Sequence, residues 1–239
     1  MGIDEVSRTW TRLGREDPMW AVLTERDKAG GGWTPEAFLA TGRSEIEALL
    51  ARLGQLGLDL ERGRAVDFGC GAGRLTHGLC RAGFADVVGL DISPTMLEKA
   101  REIVDDPAAR FQLAEGPELD GVAAGSADLV YTNRVLQHMP ADLAHRYVRR
   151  FFALAKPSAL VVFQLPTAPA ANLAGTVLRL LPAALARRLR RGMEMHGTPE
   201  EEVRALVAAS GGEVLAADPD TSAGPRWASR LYVARAAAG

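Results

Sequence analysis

Apolar runs of strand length alternate with amphipathic stretches through the middle of the chain. The pattern predicts strands near 64–68, 86–91, 109–114, 127–132 and 159–164. Helices are predicted between them near 74–83, 94–104, 118–124 and 140–155. Strands that are apolar throughout, alternating with helices, specify a mostly parallel sheet covered on both faces. After residue 197 the pattern gives a helix at 199–210 and strands at 212–218 and 228–235. The Pro- and Gly-containing loop 219–225 is short enough to make that last pair antiparallel. Before the core, Val6 to Leu23 reads as two short helices broken at Asp17-Pro18, followed by a flexible Gly30-Gly31-Gly32 joint. Thr34-Pro35-Glu36 opens a helix, and Ile46, Leu49, Leu50 and Leu53 mark another.

The chemistry is concentrated where the first strand ends, at Ala65-Val66-Asp67-Phe68-Gly69-Cys70-Gly71-Ala72-Gly73-Arg74. Three glycines at alternate positions allow a ligand to lie against bare main chain at a helix start. The dinucleotide fingerprint requires its third glycine one position later, where Arg74 stands. An acid at Asp67 also suits a positively charged ligand better than a pyrophosphate. Val87-Val88-Gly89-Leu90-Asp91-Ile92-Ser93 follows, an apolar strand ending in an acid about 20 residues after the loop, the spacing of a ribose acceptor.

These two segments resemble the class I S-adenosylmethionine-dependent methyltransferases. The resemblance is carried by residues 43–166, and more loosely by 197–235. It implies a Rossmann-like α/β fold, with a mostly parallel seven-stranded sheet, an antiparallel edge strand, N-terminal helices and a helical insertion after the fifth strand. It further implies that S-adenosyl-L-methionine is the cofactor. Asp67, Gly69, Cys70, Gly71 and Gly73 would surround its methionine part, Asp91 its ribose, and Ile92 and Met96 its adenine. Glu115 stands where the family often has Asp, and its longer side chain reaches the adenine less directly. Thr132-Asn133-Arg134-Val135-Leu136-Gln137-His138 resembles the stretch after the fourth strand in members acting on small molecules. That puts Asn133 beside the methionine end and His138 on the acceptor side. An imidazole there is the candidate general base, against a purely structural reading in which it packs the turn before Pro140.

One domain is expected over 1–239, divided into an N-terminal helical lid (1–60), a cofactor-binding core (61–166), a helical insertion (167–196) and a C-terminal helix and strand pair (197–239). The insertion carries Leu173, Val177, Leu178, Leu180 and Leu181, then Arg187, Arg188, Arg190 and Arg191. A helix pair with a solvated arginine face is preferred there over a substrate lid or an anion-binding surface. The composition is that of an ordinary globular protein, 47% hydrophobic and 24% charged, with a formal charge of −2. Nothing in that balance calls for nucleic acid, and no Asn-Pro-Pro-Tyr-like segment follows the fourth strand. Cys70 and Cys80 are too few for a zinc site or a disulfide framework. With no signal segment or membrane-spanning run, a cytoplasmic monomer or homodimer is expected. The sequence therefore points to methyl transfer onto a small molecule, with bacterial secondary metabolism as its setting. The alternatives are a non-methylating S-adenosylmethionine-binding protein and an RNA or protein methyltransferase.

Overall fold

The computed structural model describes residues 2–171 and 195–238. β1 (Arg64–Phe68), β2 (Asp86–Asp91), β3 (Ala109–Leu113), β4 (Ala127–Thr132) and β5 (Ala155–Pro169) run parallel. β6 (Gly212–Asp220) and β7 (Trp227–Ala236) complete one seven-stranded sheet in the order β3-β2-β1-β4-β5-β7-β6. β7 lies antiparallel between β5 and β6. The order reverses between β1 and β4, so a crevice opens beyond their carboxyl ends.

Helices α1 (Ile3–Glu16), α2 (Pro18–Val22) and α3 (Pro35–Gln55) precede the sheet. α4 (Arg74–Arg81), α5 (Pro94–Ile103), α6 (Ala141–Leu154) and α7 (Glu200–Ala209) follow β1, β2, β4 and β5 in turn. The two faces of the sheet are buried by different sets of helices. Val66, Val88, Val130 and Phe163 pack with Phe151 of α6 and Val203 of α7. Ala65, Val87, Leu129 and Val162 point the other way, toward Ile46 and Leu53 of α3 and Leu79 of α4. This is the period-two alternation of strands buried on both faces.

Several expectations are corrected by local chemistry. The two helices predicted over 35–55 are one, with the Thr34 side chain accepting from Ala37 N at 3.3 Å and Pro35 in the first turn. The short helix at 118–124 is a run of turns instead. Leu119 sits at φ 49° and Gly125 at φ 60°, while Leu119 and Val122 reach the core. β5 extends well past 164, because antiparallel pairing with β7 carries it to Pro169 opposite Trp227. The glycine joint is anchored, since Gly30 N and Gly31 N both donate to Asp17 Oδ2 at 2.9 Å. Most of the insertion expected at 167–196, with its arginines, lies outside the described residues.

α3 and α4 approach so closely that their glycines are required by packing. A Cβ at Gly42 would fall inside the Arg74 carbonyl, and one at Gly78 would lie 2.7 Å from Gly42 O. Gly54 sits in the same helix with nothing within 4 Å of its would-be Cβ. Gly42→Ala should therefore destabilise the fold by about 1–3 kcal/mol through overpacking. Gly54→Ala should be neutral or stabilising, by up to about 1 kcal/mol from helix propensity. Urea unfolding of both variants checks this, and equal effects would refute the packing argument.

Candidate active site

A cavity of about 1020 Å³ opens at the switch point. Its floor is the turn from β1 to α4, where Gly69, Gly71 and Gly73 have φ of 72°, 52° and 85°. A Cβ at Gly71 would stand 2.6 Å from Val22 Cγ2, so α2 closes directly on the loop. α1 is tied down beside it, with Thr95 Oγ1 donating to Thr11 O at 3.0 Å. Met96 is buried beneath this roof against Leu13 and Ala21.

Of the residues singled out in the sequence, Gly69, Cys70, Gly71, Asp91, Ile92, Met96, Asn133 and His138 all line this cavity. Asp67, Gly73 and Glu115 are not part of its wall. Asp67 is fully enclosed behind the loop and accepts a hydrogen bond from Thr76 Oγ1 at 2.7 Å. Gly73 starts α4 and faces Val104, Ala100 and Phe111. Glu115 is exposed, and its neighbour Ala114 forms the wall instead. Asp91 accepts from Gly71 N and Ser93 N, each at 2.8 Å, which locks the two strand-end loops to one carboxylate.

The cluster missed in the sequence is centred on Glu45 of α3. Glu45 Oε1 accepts from Tyr131 Oη at 2.9 Å and Asn133 Nδ2 at 2.7 Å. Its Oε2 meets Arg74 Nη1 at 2.8 Å and Arg134 Nη1 at 3.1 Å. Burial works to raise this carboxyl, but the two guanidinium groups outweigh it and bring it to about 2. The two guanidinium groups share this carboxylate, and Arg74 also lies within electrostatic reach of Asp67 behind the glycine loop. Arg74 and Asn133 line the cavity, and Arg74 Nε and Asn133 Oδ1 are buried with no hydrogen-bond partner among the described residues. One is a donor and the other an acceptor.

Residues 65–158 match a family model described as a methyltransferase domain. The chain is 34% identical over 156 residues to a trans-aconitate 2-methyltransferase of Methylobacterium radiotolerans, covering 64% of this chain and 55% of that protein. It is 32% identical over 158 residues to a ubiquinone biosynthesis O-methyltransferase of Bordetella avium, covering 63% of this chain and 64% of that one. The matched stretch thus spans between about half and two thirds of these relatives. The fold superposes with a TM-score of 0.67 on magnesium protoporphyrin IX methyltransferase from Synechocystis, solved with bound SAH, at 22% identity and with 97% and 98% of the two chains covered. Residues 65–158 are thus similar to a methyltransferase domain, and the fold around them is shared with a methyltransferase of known structure.

The loop cysteine is buried, and its surroundings disfavour the thiolate form. Burial, reinforced by the nearby Asp91 and Asp67 carboxylates, pushes the Cys70 thiol well above its ordinary range. No group of three or more His, Cys, Asp or Glu able to hold a metal ion is found among the described residues. Among those residues, too, no helix is long and apolar enough to cross a membrane.

The two strand-end acids have opposite tendencies to Glu45. Burial raises Asp67 to about 7, against the Thr76 hydrogen bond and the Arg74 charge. Burial raises Asp91 to about 6, against its backbone donors. A carboxyl whose folded pKa exceeds its unfolded value holds a proton that the unfolded chain has already lost. Each group's penalty is therefore absent below about pH 4 and grows until its folded pKa is passed. Stability should fall between about pH 4 and 7 and then level off, and Asp67→Asn should remove a part of the fall worth a few kcal/mol. Unfolding free energies of the two proteins across that range provide the test, and parallel curves would contradict it.

Proposed function

We propose that this protein transfers the methyl group of S-adenosylmethionine to a small-molecule acceptor. The observation that carries the reading is the cavity at the switch point, lined by the positive-φ glycines of the β1 turn and by Asp91. The methionine part of this cofactor ends in an ammonium and a carboxylate. The Asn133 amide suits the first and the Arg74 guanidinium the second, and both residues line the cavity. The positive φ angles of Gly69 and Gly71 leave main chain where a side chain would obstruct the ligand. Asp91 has lone pairs left over from its two backbone bonds for ribose hydroxyls, and Ile92 and Met96 offer an apolar surface to an adenine ring. The residues present fit the group.

When bound, the cofactor supplies a methyl group activated by the sulfonium charge. The work left to the protein is alignment and exclusion of water. α1 and α2 serve as the lid, with Trp10, Trp20 and Val22 on the cavity wall. The far wall, where the acceptor would lie, is formed by Met139, Met195, Pro225 and Trp227 together with His138. An apolar aromatic wall of this kind suits a compact organic acid or ring system better than a polynucleotide. The relatives named for trans-aconitate and for ubiquinone biosynthesis support a small acceptor. A secondary metabolite is our narrower choice, on the size and apolar character of that wall.

Calorimetry with S-adenosylmethionine and S-adenosylhomocysteine tests cofactor binding, and formation of the latter in a bacterial metabolite extract tests transfer. Asp91→Ala should weaken binding by about 1.5–3 kcal/mol, the scale for hydrogen bonds to a charged group. Equal affinity for a nicotinamide dinucleotide would refute the assignment. Amides of α1 and α2 should gain protection from hydrogen exchange when the cofactor binds, and unchanged exchange there would remove the lid role.

A further inference from the structure

We propose that Gln137 and Gln164 are positioning residues that fix His138 in one neutral tautomer, with the proton on Nδ1 and the Nε2 lone pair already engaged. The inference deepens the methyltransferase reading and rests on it for its catalytic meaning.

The argument follows the direction of each hydrogen bond. Gln164, on β5, is fully buried. Its Oε1 lies 3.2 Å from the backbone N of Arg134. A peptide N–H can only donate, so this atom of the amide must be the oxygen. Ser229 on β7 is compatible with that orientation: its hydroxyl can donate to Leu165 O at 3.2 Å while accepting from Gln164 Nε2 at 2.6 Å. Gln164 Nε2 therefore also donates to Gln137 Oε1, at 3.2 Å. That orients the buried Gln137 amide, whose Nε2 is 3.1 Å from His138 Nε2. An amide nitrogen is a donor only. His138 Nε2 must be the acceptor, and in the neutral ring the proton is on Nδ1.

This arrangement changes the role expected from the sequence. A general base must offer a lone pair to the substrate proton. The only lone pair of this imidazole is held by Gln137, and the other nitrogen carries hydrogen. His138 thus acts in the cavity wall as a neutral, oriented ring and not as the proton acceptor. An acceptor that is already deprotonated, such as a carboxylate, needs no base at this position. Methyl transfer to a carboxylate balances without a base: a carboxylate oxygen forms the new C–O bond, the S–CH3 bond breaks, and sulfur keeps the electron pair.

Long-range 1H–15N spectra of protein labelled at the imidazole nitrogens report the tautomer at mildly alkaline pH. His138→Phe identifies the His138 signals among the four histidines. Wild-type protein should show a protonated Nδ1 and an unprotonated Nε2. Gln164→Glu leaves no donor toward Gln137, so that amide should turn over and the proton should move to Nε2. Gln137→Met removes the donor at the ring and should leave the two tautomers exchanging. If Gln164→Glu fails to fold, Gln137→Met and the wild-type spectrum decide the matter. A protonated Nε2 in the wild type, or the same tautomer in the variants as in the wild type, would overturn the proposal. S-adenosylhomocysteine binding should be retained in both glutamine variants. Its absence in wild-type protein would count against the cofactor reading and leave the tautomer result standing.

Discussion

The Glu45 carboxylate joins parts of the chain that no secondary structure connects. It sits in α3, outside the sheet, yet holds Arg74 at the start of α4, Tyr131 near the end of β4, and Asn133 and Arg134 just after it. A buried carboxylate with this many partners costs desolvation free energy, recovered only because charge and hydrogen bonding are satisfied together. Removing it would leave two guanidinium groups facing each other beneath the cavity. The glycine loop and the segment after β4 are thus held in register by a residue that touches neither backbone. The close crossing of α3 and α4 at Gly42 and Gly78 brings the carboxylate to that place.

The sheet and the two strand-end loops were legible because their information is local. Val66 to Gly73 and Val87 to Ser93 each contain strand, turn and helix start within one short window, and Ser93 does cap its helix by accepting from Met96 N at 3.3 Å. Glu45 was not legible, since nothing near it distinguishes it from the solvent-facing acids of an amphipathic helix. Its partners lie 29 to 89 positions away, at Arg74 and Arg134. The turn at 118–124 failed for a related reason. Leu119 and Val122 are spaced as on a helix face, but Leu119 takes a left-handed conformation that pattern alone does not forecast. Asp67 shows the converse limit. The strand-end acid was read correctly as a feature, but its carboxylate turns inward to Thr76, because alternation along β1 points it at α4.

The N-terminal helices alter what a glycine in the loop means. Gly71 was expected to be bare so that a ligand could approach. It must also be bare because Val22 occupies the space a Cβ would need. The same missing side chain serves the floor and the roof. The roof meets the floor through apolar contacts such as Val22 on Gly71, whereas the opposite side is held by the charge cluster at Glu45.

On the acceptor side the controlling information is directional. A histidine near a cofactor is easily assigned as a base from its ordinary pKa, but that property belongs to a ring whose lone pair is available. Here availability is decided at Arg134, by a peptide N–H whose direction is fixed by the backbone after β4. The effect passes through a glutamine on β5 that a serine on β7 also contacts. Because these strands are neighbours in the sheet and Pro166 pairs with Ser229, the polar groups are held as firmly as the register itself. The antiparallel pairing of β7 with β5 thus holds Ser229 against the amide that links Arg134 to the ring.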